Sequence, residues 1–486
     1  MDSDWSEQDS RSVRDFVARK LDEPIPPDAI ALFWMPVPRA RLQDFLSSQP
    51  RDLSMVWYPR SGEAFAGWGA AARIHLEGEH RMVELSRAAE DVFRRLRVFA
   101  HPGVVAPSAR LFGGLAFASG NNAETPWTEF ADGDFTLPRW LYGRDGKSVY
   151  LGLAIDPRRR DSATYRVDAL DELDVILTVL EGAQHERTFG GDDVAKKATI
   201  PRACAHQVAP ALWHEHIEKI RSEIRAGRFE KVVAARRTWV NAPATINDVE
   251  VLVRLAFDYP SCLRFLFRRG NQALVGASPE TLFRKTGAYF TTQGLAGTLR
   301  AGADDAIDKL QEQTLLASKK DNHEHDIVVR EILARLAPLT AELTAATTPE
   351  IRRVGNIIHL NTPISGRVKD DVLAVELLAA LHPTPAVGGV PRADAIEFIS
   401  QAEPHSRGWY AGPVGWIDEK GDGEFAVAIR CGVISGKEAF IYAGAGIVAD
   451  SDPDAEYREA ELKSEPLLHS IGVEPQPSPS PRCLLV

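Results

Sequence analysis

The sequence predicts a mixed α/β protein, because helical and strand patterns alternate along it. Residues 81–97 place Leu85 and Val92 on one apolar face with charged residues between them, which is typical of an amphipathic helix. Residues 65–74 and 111–118 are short, apolar and interrupted by glycine, which favours strands that bend or approach other chain segments closely. No repeat at a fixed period is present, so a solenoid or propeller is not expected.

Length and composition predict one large folded unit. The chain has 486 residues, of which 44% are hydrophobic and 26% charged, enough to bury an extensive core. Sheet-rich enzymes reach this length as a single unit, so we expect two halves of one fold at 1–200 and 201–472. The polar stretch 181–201 is the expected connection between them. Residues 473–486, rich in proline and serine, are expected to form a disordered tail.

Charge and cysteine content exclude several classes of protein. A net charge of -11 argues against a nucleic-acid surface, which needs clustered cations. No apolar run is long enough for a membrane span, and the acidic start lacks the features of a signal peptide, so no membrane partner is expected. The four cysteines are too few for a disulfide framework and too widely spaced for a zinc site, which predicts a cytoplasmic protein: Cys204, Cys262, Cys431 and Cys483.

A lysine begins a strand in the second half. A helix with Trp213 and Ile220 on one face ends near Gly227, and a strand follows at 231–236. Its alternation places Lys231 among small apolar residues of one face. Such a lysine is either a buried functional group or an edge residue whose ammonium reaches water, and this segment alone leaves both readings open.

A carboxylic acid follows two further predicted strands. Residues 263–267 and 273–277 are strand-like, and a hairpin is expected at 285–287. Between them Pro279 fixes the backbone just before Glu280, which can aim that carboxyl into a cleft. The alternative is an ordinary surface glutamate.

Two helices are expected to carry paired acidic residues. Helical spacing runs through 304–336, where Asp321 and Glu324 share a face. His323 and His325 in the same helix point to different faces and cannot hold one metal ion together.

A second acidic helix begins near the end of the folded region. Asp452 and Pro453 form a helix start, and the helix presents Glu456, Glu459 and Lys463 on one side. Either helix face could instead be a solvated stripe.

Ten motifs occur in an order that resembles the chorismate-utilising enzymes, the family of isochorismate, salicylate, anthranilate and aminodeoxychorismate synthases. The resemblance is strongest over 213–464 and looser in SGEAFAGWGAA (61–71) and FGGLAF (112–117). The ten motifs are KVVAAR (231–236), LVGASPETLFRKTG (274–287), LAGTLRAG (295–302), LLASKKDNHEHDIV (315–328), HLNTPISG (359–366), LHPTPAVGG (381–389), YAGPVGW (410–416), AIRCG (428–432), AGAGIV (443–448) and EYREAELKS (456–464).

The resemblance implies a fold and a set of ligands. The fold would be one α/β unit in which two antiparallel sheets pack face to face with helices outside and the active site between them. Glu324 and Glu459 would be Mg²⁺ ligands, with Asp321 and Glu456 in support, and oxygen ligands suit this ion. The metal would face the ring carboxylate of chorismate. The remaining substrate-binding residues implied are His359, Arg430, Tyr410, Gly446, Lys463 and Ala386.

The resemblance also assigns the chemistry to two residues. Lys231 would activate water for attack at C2 of the ring, and Glu280 would protonate the hydroxyl that leaves C4. Ammonia-using members resemble each other in carrying an uncharged amide at the lysine position, so anthranilate and aminodeoxychorismate synthases are disfavoured, and no glutaminase subunit is expected.

Isochorismate synthase is the predicted activity, because HPTPAVGG (382–389) looks closest to that group. Salicylate synthase, which also removes pyruvate, is the alternative, and a non-catalytic chorismate-binding protein is the alternative of another class. The substrate is a small molecule, and a monomer or homodimer is expected.

Overall fold

A computed structural model describes residues 5–47, 52–120, 124–146, 148–160, 164–183, 204–302 and 304–473. The expected tail at 473–486 lies outside the described residues except for Val473. Most of the expected connection at 181–201 also lies outside them, although its first two residues end a helix.

The described residues form twelve α-helices and 23 strands. The helices are α1 (Glu7–Leu21), α2 (Leu42–Ser47), α3 (Arg81–Arg94), α4 (Pro157–Arg160), α5 (Tyr165–Gly182), α6 (Pro210–Arg225), α7 (Asp248–Asp258), α8 (Asp305–Ala317), α9 (Lys319–Leu336), α10 (Ala374–Leu381), α11 (Arg392–Ala402) and α12 (Pro453–Ile471).

The first nine strands precede residue 200, and fourteen follow it. The former are β1 (Ile30–Pro36), β2 (Leu53–Tyr58), β3 (Ala64–Trp68), β4 (Ala72–Leu76), β5 (Leu96–Ala100), β6 (Arg110–Leu115), β7 (Gly133–Leu137), β8 (Trp140–Asp145) and β9 (Ser148–Ile155). The latter are β10 (Cys204–His206), β11 (Lys231–Asn241), β12 (Leu263–Arg269), β13 (Gln272–Ser278), β14 (Thr281–Thr286), β15 (Tyr289–Arg300), β16 (Thr340–Ala345), β17 (Glu350–Val354), β18 (Ile357–Val368), β19 (Gly389–Val390), β20 (Pro413–Asp418), β21 (Gly423–Val427), β22 (Cys431–Ser435) and β23 (Glu438–Ile447).

The strands form two sheets, each built from both halves of the chain. The larger has 13 strands in the order β10-β11-β23-β22-β13-β12-β2-β3-β8-β9-β1-β5, with β19 beside β11. The smaller has ten in the order β16-β18-β15-β14-β21-β20-β6-β7-β4, with β17 beside β18. Among the described strands only β1 and β5 pair in parallel. The predicted mixed α/β fold with two antiparallel sheets is confirmed, whereas the boundary between 1–200 and 201–472 stays a prediction.

Aromatic side chains fill the space between the sheets. The Phe65 ring of β3, in the larger sheet, lies 5.2 Å from Phe112 and 6.5 Å from Trp416 of the smaller sheet. The indole of Trp57 on β2 donates to the Glu424 carboxylate on β21 at 3.2 Å, which joins the two sheets by a polar contact. This face-to-face packing buries the strands on their inner sides, as their apolar alternation requires.

Helices cover the outer face of the larger sheet. A second apolar core contains buried side chains of α1, α2, α5, α7 and α12 packed on β1, β8, β9 and β13. Among the described residues, no helix combines the length and apolar content that a membrane span needs.

The helical spacing at 304–336 corresponds to two helices. Ser318 interrupts the run, takes an extended backbone conformation and accepts a hydrogen bond from the Asp321 backbone N–H as the cap of α9. The predicted start of α12 is confirmed, since Asp452 caps it by accepting from the Ala455 N–H and Pro453 occupies its first position. Both caps orient helices that bring acidic side chains to the cleft.

Phe65 offers a test of the packing between the sheets. Phe65→Ala should lower the free energy of unfolding by about 3–5 kcal/mol, because it removes a fully buried ring and leaves a cavity. Urea unfolding followed by tryptophan fluorescence measures the loss. Phe257→Ala, at a ring that is 66% exposed, is the matched control and should cost less than about 1 kcal/mol. Equal losses in the two variants would contradict the packing described.

Candidate active site

The predicted functional side chains meet in a cleft between the two sheets, beside the first turns of α9 and α12. Lys231 opens β11 in the larger sheet, and His359 lies on β18 in the smaller one. Glu280 sits where β13 of one sheet passes to β14 of the other. The first turns of α9 and α12 contribute the acidic residues Asp321 and Glu456.

Lys231 and Glu324 form a buried ion pair. Their Nζ and Oε1 atoms lie 2.9 Å apart, with the lysine side chain 0% and the glutamate side chain 10% exposed. Apart from Glu324, Lys231 Nζ has no hydrogen-bond partner among the described residues, and it is buried. Burial would raise the pKa of Glu324, but the ammoniums of Lys231 and Lys320 outweigh burial and lower it. The buried reading of Lys231 is therefore the correct one.

Gly446 makes the room for this pair. It lies on β23 opposite Val233 of β11, and a Cβ atom there would stand 2.1 Å from Glu324 Oε1 and 2.8 Å from Lys231 Cε. Any side chain at Gly446 would therefore displace the ion pair. The structure places this residue against the site by contact with two charged side chains, while its contact with substrate stays a prediction.

Glu280 is buried in the same cleft. Its carboxyl oxygen Oε1 accepts a long hydrogen bond of 3.4 Å from the Thr384 hydroxyl, and its backbone N–H donates to Ser278 Oγ at 3.1 Å. Burial raises the pKa of Glu280 to about 7, against the opposing effects of Lys231 and of the Thr384 hydrogen bond. The carboxyl can consequently carry a proton near neutral pH, which a general acid requires.

The acidic residues of α9 and α12 are each held by a cation or a hydroxyl. Lys320 Nζ lies 2.7 Å from Glu456 Oε1, and Lys463 Nζ lies 2.6 Å from Glu459 Oε1. Asp321 accepts a short hydrogen bond from the Ser318 hydroxyl. No group of three or more histidine, cysteine or acidic residues in the described part of the chain is arranged to hold a metal ion.

Two of these carboxyls have pKa values above their ordinary range. Burial and the neighbouring Glu459 raise the pKa of Glu456 to about 7, against the effect of Lys320. Burial also raises the pKa of Asp321. Glu456 Oε2 is buried without a hydrogen-bond partner. This part of the site therefore has an excess of oxygen ligands over cations.

Arg430 and His359 contact each other in the same cleft. Arg430 Nη2 lies 3.2 Å from His359 Nε2, while His359 Nδ1 lies 3.0 Å from the carbonyl of Gly297, at a β-bulge in β15. Burial and the Arg430 charge lower the pKa of His359 well below its usual value, so the ring is neutral and donates through Nδ1. Arg430 Nε is buried without a partner among the described residues, which leaves a donor for an anion.

Two further predicted substrate residues line the periphery. Tyr410 is buried and stacks on Tyr442 with ring centroids 5.1 Å apart. Its hydroxyl stands beside Gly444, where a Cβ atom would approach it to 3.1 Å. Ala386 is half-buried and packs against the core between the sheets. Their contacts with substrate stay predictions.

Sequence reasoning missed two residues of the site. Lys320 was not singled out, although its i,i+4 spacing from Glu324 is a recognisable signal. Thr384, which contacts Glu280, lies 104 residues further along the chain and gives no local signal. His325 is buried and its Nε2 lies 2.7 Å from the Thr362 hydroxyl oxygen, whereas His323 is exposed, so the two rings do face different directions.

Comparison with known proteins gives consistent matches over nearly the whole chain. Residues 28–472 match the family model described as "Chorismate binding enzyme". The chain is 34% identical over 464 residues to the salicylate biosynthesis isochorismate synthase of Pseudomonas aeruginosa, covering 94% of this chain and 92% of that protein. It is 33% identical over 364 residues to isochorismate synthase MenF of Bacillus subtilis, covering 75% of each.

Solved structures show the same fold. The menaquinone-specific isochorismate synthase MenF of Escherichia coli superposes with a TM-score of 0.76 at 26% identity, covering 96% of this chain and 100% of that one. Anthranilate synthase component I of Streptococcus pneumoniae superposes with a TM-score of 0.65 at 21% identity, covering 84% and 92% of the two chains, and shows the fold alone.

The buried Glu280 carboxyl predicts a specific pH dependence of stability. Its pKa is about 7 in the folded protein against an ordinary value of 4.5, so the folded state binds the proton more tightly. The protonated Glu280 carboxyl therefore contributes to the free energy of unfolding. This contribution is complete below pH 4.5 and is lost as the pH rises to about 7. The Gln side chain of Glu280→Gln cannot ionise. The free energy of unfolding of this variant should therefore rise by about 3 kcal/mol relative to that of the unchanged protein across this pH range.

Urea unfolding at pH 5 and at pH 8 in the presence of a chelator measures this difference. The exposed Glu419→Gln is the matched control and should follow the unchanged protein at both values. If the stability of Glu280→Gln changes between the two pH values as much as that of the unchanged protein, the pKa of Glu280 is not raised.

Proposed function

The chain belongs to the chorismate binding enzyme family, and on this basis we propose that it is an isochorismate synthase. The observation that carries the proposal is the presence, in one buried site, of Lys231 and of a Glu280 carboxyl on which the Lys231 charge acts and whose pKa burial raises to about 7. An amino group that can accept a proton and a carboxyl that can give one are the two groups that exchange of a ring hydroxyl requires.

The reaction replaces one hydroxyl of chorismate by another. Lys231 first releases its ammonium proton to solvent and then takes a proton from water as the water oxygen bonds to C2 of the ring; Glu280 regains a proton from solvent after turnover, which restores both groups. Both double bonds of the ring diene shift, from C1–C2 to C1–C6 and from C5–C6 to C4–C5, the bond from C4 to its hydroxyl breaks, and Glu280 supplies the proton with which that oxygen leaves as water. Substrate and product are isomers, so one water enters and one leaves.

Cationic and neutral donors hold the two carboxylates of the substrate. We assign the enolpyruvyl carboxylate to Arg430, whose Nε lacks a partner among the described residues and whose planar guanidinium can bind two oxygens. Neutral His359, fixed by Gly297, supports Arg430 and lies close to the ring. Lys463 faces the cleft from α12, and Tyr410, Gly446 and Ala386 complete the proposed substrate contacts.

We propose Mg²⁺ as the cofactor. The residues fit it, because Glu456 has a buried oxygen without a partner and all the acidic side chains offer the oxygen ligands that Mg²⁺ prefers. Glu324 and Glu459 would hold the ion, with Asp321 and Glu456 acting through water. When bound, the ion neutralises the ring carboxylate of the substrate. The cleft residues then position the ring between Lys231 and Glu280.

The proposed enzyme acts on chorismate without a glutaminase subunit. Glutaminases deliver ammonia, and the family resemblance disfavours ammonia as the nucleophile, because ammonia-using members carry an uncharged amide at the position of Lys231. Its product is isochorismate, and a cytoplasmic location accords with the reduced state of the buried Cys262 and Cys431.

Product analysis tests the activity. The full chain incubated with chorismate and Mg²⁺ at neutral pH should form isochorismate that equilibrates with chorismate, and EDTA should abolish turnover. Chromatography identifies the products, while lactate dehydrogenase with NADH reports any pyruvate. Stoichiometric pyruvate and salicylate at early times would make the protein a salicylate synthase. No conversion with Mg²⁺ present would favour a non-catalytic binding protein.

Substitution of the base tests its role separately. Lys231→Gln should lower kcat by roughly two to four decades with a smaller effect on KM, because the carboxylate contacts of the substrate remain. Lys437→Gln, in the exposed turn between β22 and β23, is the matched control and should retain full activity. Near-normal kcat in Lys231→Gln would exclude this lysine as the base.

A further inference from the structure

A lysine ammonium stands where the carboxylates of the cleft converge. Lys320 Nζ lies 2.7 Å from Glu456 Oε1. Burial would lower the pKa of Lys320, but Glu456, Glu324 and Glu459 together raise it far above its usual value. Glu456 contacts this ammonium, and the two proposed Mg²⁺ ligands, Glu324 and Glu459, lie near enough to act on its charge.

We propose that Lys320 is an internal counter-ion that holds the metal position in the metal-free protein and leaves it when Mg²⁺ binds. The proposal rests on the proposed function in one respect, namely that Mg²⁺ binds to these carboxylates. It adds that metal binding is an exchange of one cation for another, so Lys320 limits the affinity for free Mg²⁺. Lys320 is thus a positioning residue of the metal site.

The solvent exposure of the paired lysine and glutamate side chains indicates which of them can move. The Lys320 side chain is 29% exposed and has a path to water, whereas Glu456 is 1% exposed and is fixed in the first turn of α12. The other two lysines are held more firmly. Lys231 is fully buried, and Lys463 is bound both to Glu459 and to the Gly444 carbonyl at 3.0 Å. Lys320 is therefore the cation that can leave at least cost.

Charge balance gives the exchange its direction. Asp321, Glu324, Glu456 and Glu459 face Lys231, Lys320 and Lys463, so four carboxyls share three ammoniums. Removal of Lys320 alone would leave Glu456 buried without a partner, which is costly. A divalent ion supplies more charge than the ammonium that it replaces. The metal-free state is thus stabilised by the same side chain that opposes metal entry.

Calorimetric titration of the full chain with Mg²⁺ tests the exchange without any activity measurement. Lys320→Gln should bind Mg²⁺ about tenfold more tightly or better, because no ammonium has to be displaced. Lys320→Arg keeps the charge and should bind no more tightly than the unchanged protein. Lys319→Gln removes a neighbouring exposed charge and is the matched control, expected to leave the affinity nearly unchanged.

Thermal unfolding provides the second measurement. In EDTA, Lys320→Gln should unfold at a lower temperature than Lys319→Gln, and Mg²⁺ should raise its midpoint by more than it raises that of the control. Equal Mg²⁺ affinity in Lys320→Gln and Lys319→Gln would overturn the exchange while leaving the metal site in place. Weaker binding in Lys320→Gln would overturn it as well. Absence of Mg²⁺ binding in every protein would overturn both the exchange and the proposed cofactor.

Discussion

Repulsion between the carboxylates of α9 and α12 is the constraint on which the cleft depends. Two helices bring Glu324, Glu456 and Glu459 close together in a buried place, where like charges interact strongly. Three lysines, two of them on the same helices, offset that repulsion. The third, Lys231, comes from β11 of the larger sheet, so its ion pair with Glu324 joins that sheet to α9, which packs on β15 of the smaller sheet.

The strands beneath this cluster are accordingly built from small residues. Gly446 leaves space for the ion pair of Lys231 with Glu324, and Gly444 gives its carbonyl to Lys463 and leaves space for the Tyr410 hydroxyl. Within AGAGIV (443–448), the charged side chains thus require glycine at 446, whereas glycine at 444 is required by the Ala234 carbonyl and the Tyr410 hydroxyl. Both the stability of the fold and the proposed reaction therefore require small residues on this strand.

Much of the fold was predictable because its signals are local. The cap at Asp452 and the apolar face of α6 each involve only a few neighbouring residues. For the site, the order of the motifs was enough to predict roles for residues such as Lys231 and Glu324. The partners that set the electrostatics were not, because β11 meets β23 across more than 200 residues and Thr384 reaches Glu280 from a separate loop. A pKa near 7 for Glu280 depends on burial that no local pattern encodes.

The interleaving of the two halves bears on how the chain folds as it is made. Strand β2 lies between β3 and β12, and β6 lies between β7 and β20, so strands made early await partners made much later. Such high contact order slows folding. Until β12 and β20 leave the ribosome, β2 and β6 present open edges that invite aggregation. The architecture that gathers the cleft from distant segments thereby leaves two strand edges unpaired until most of the chain has been made.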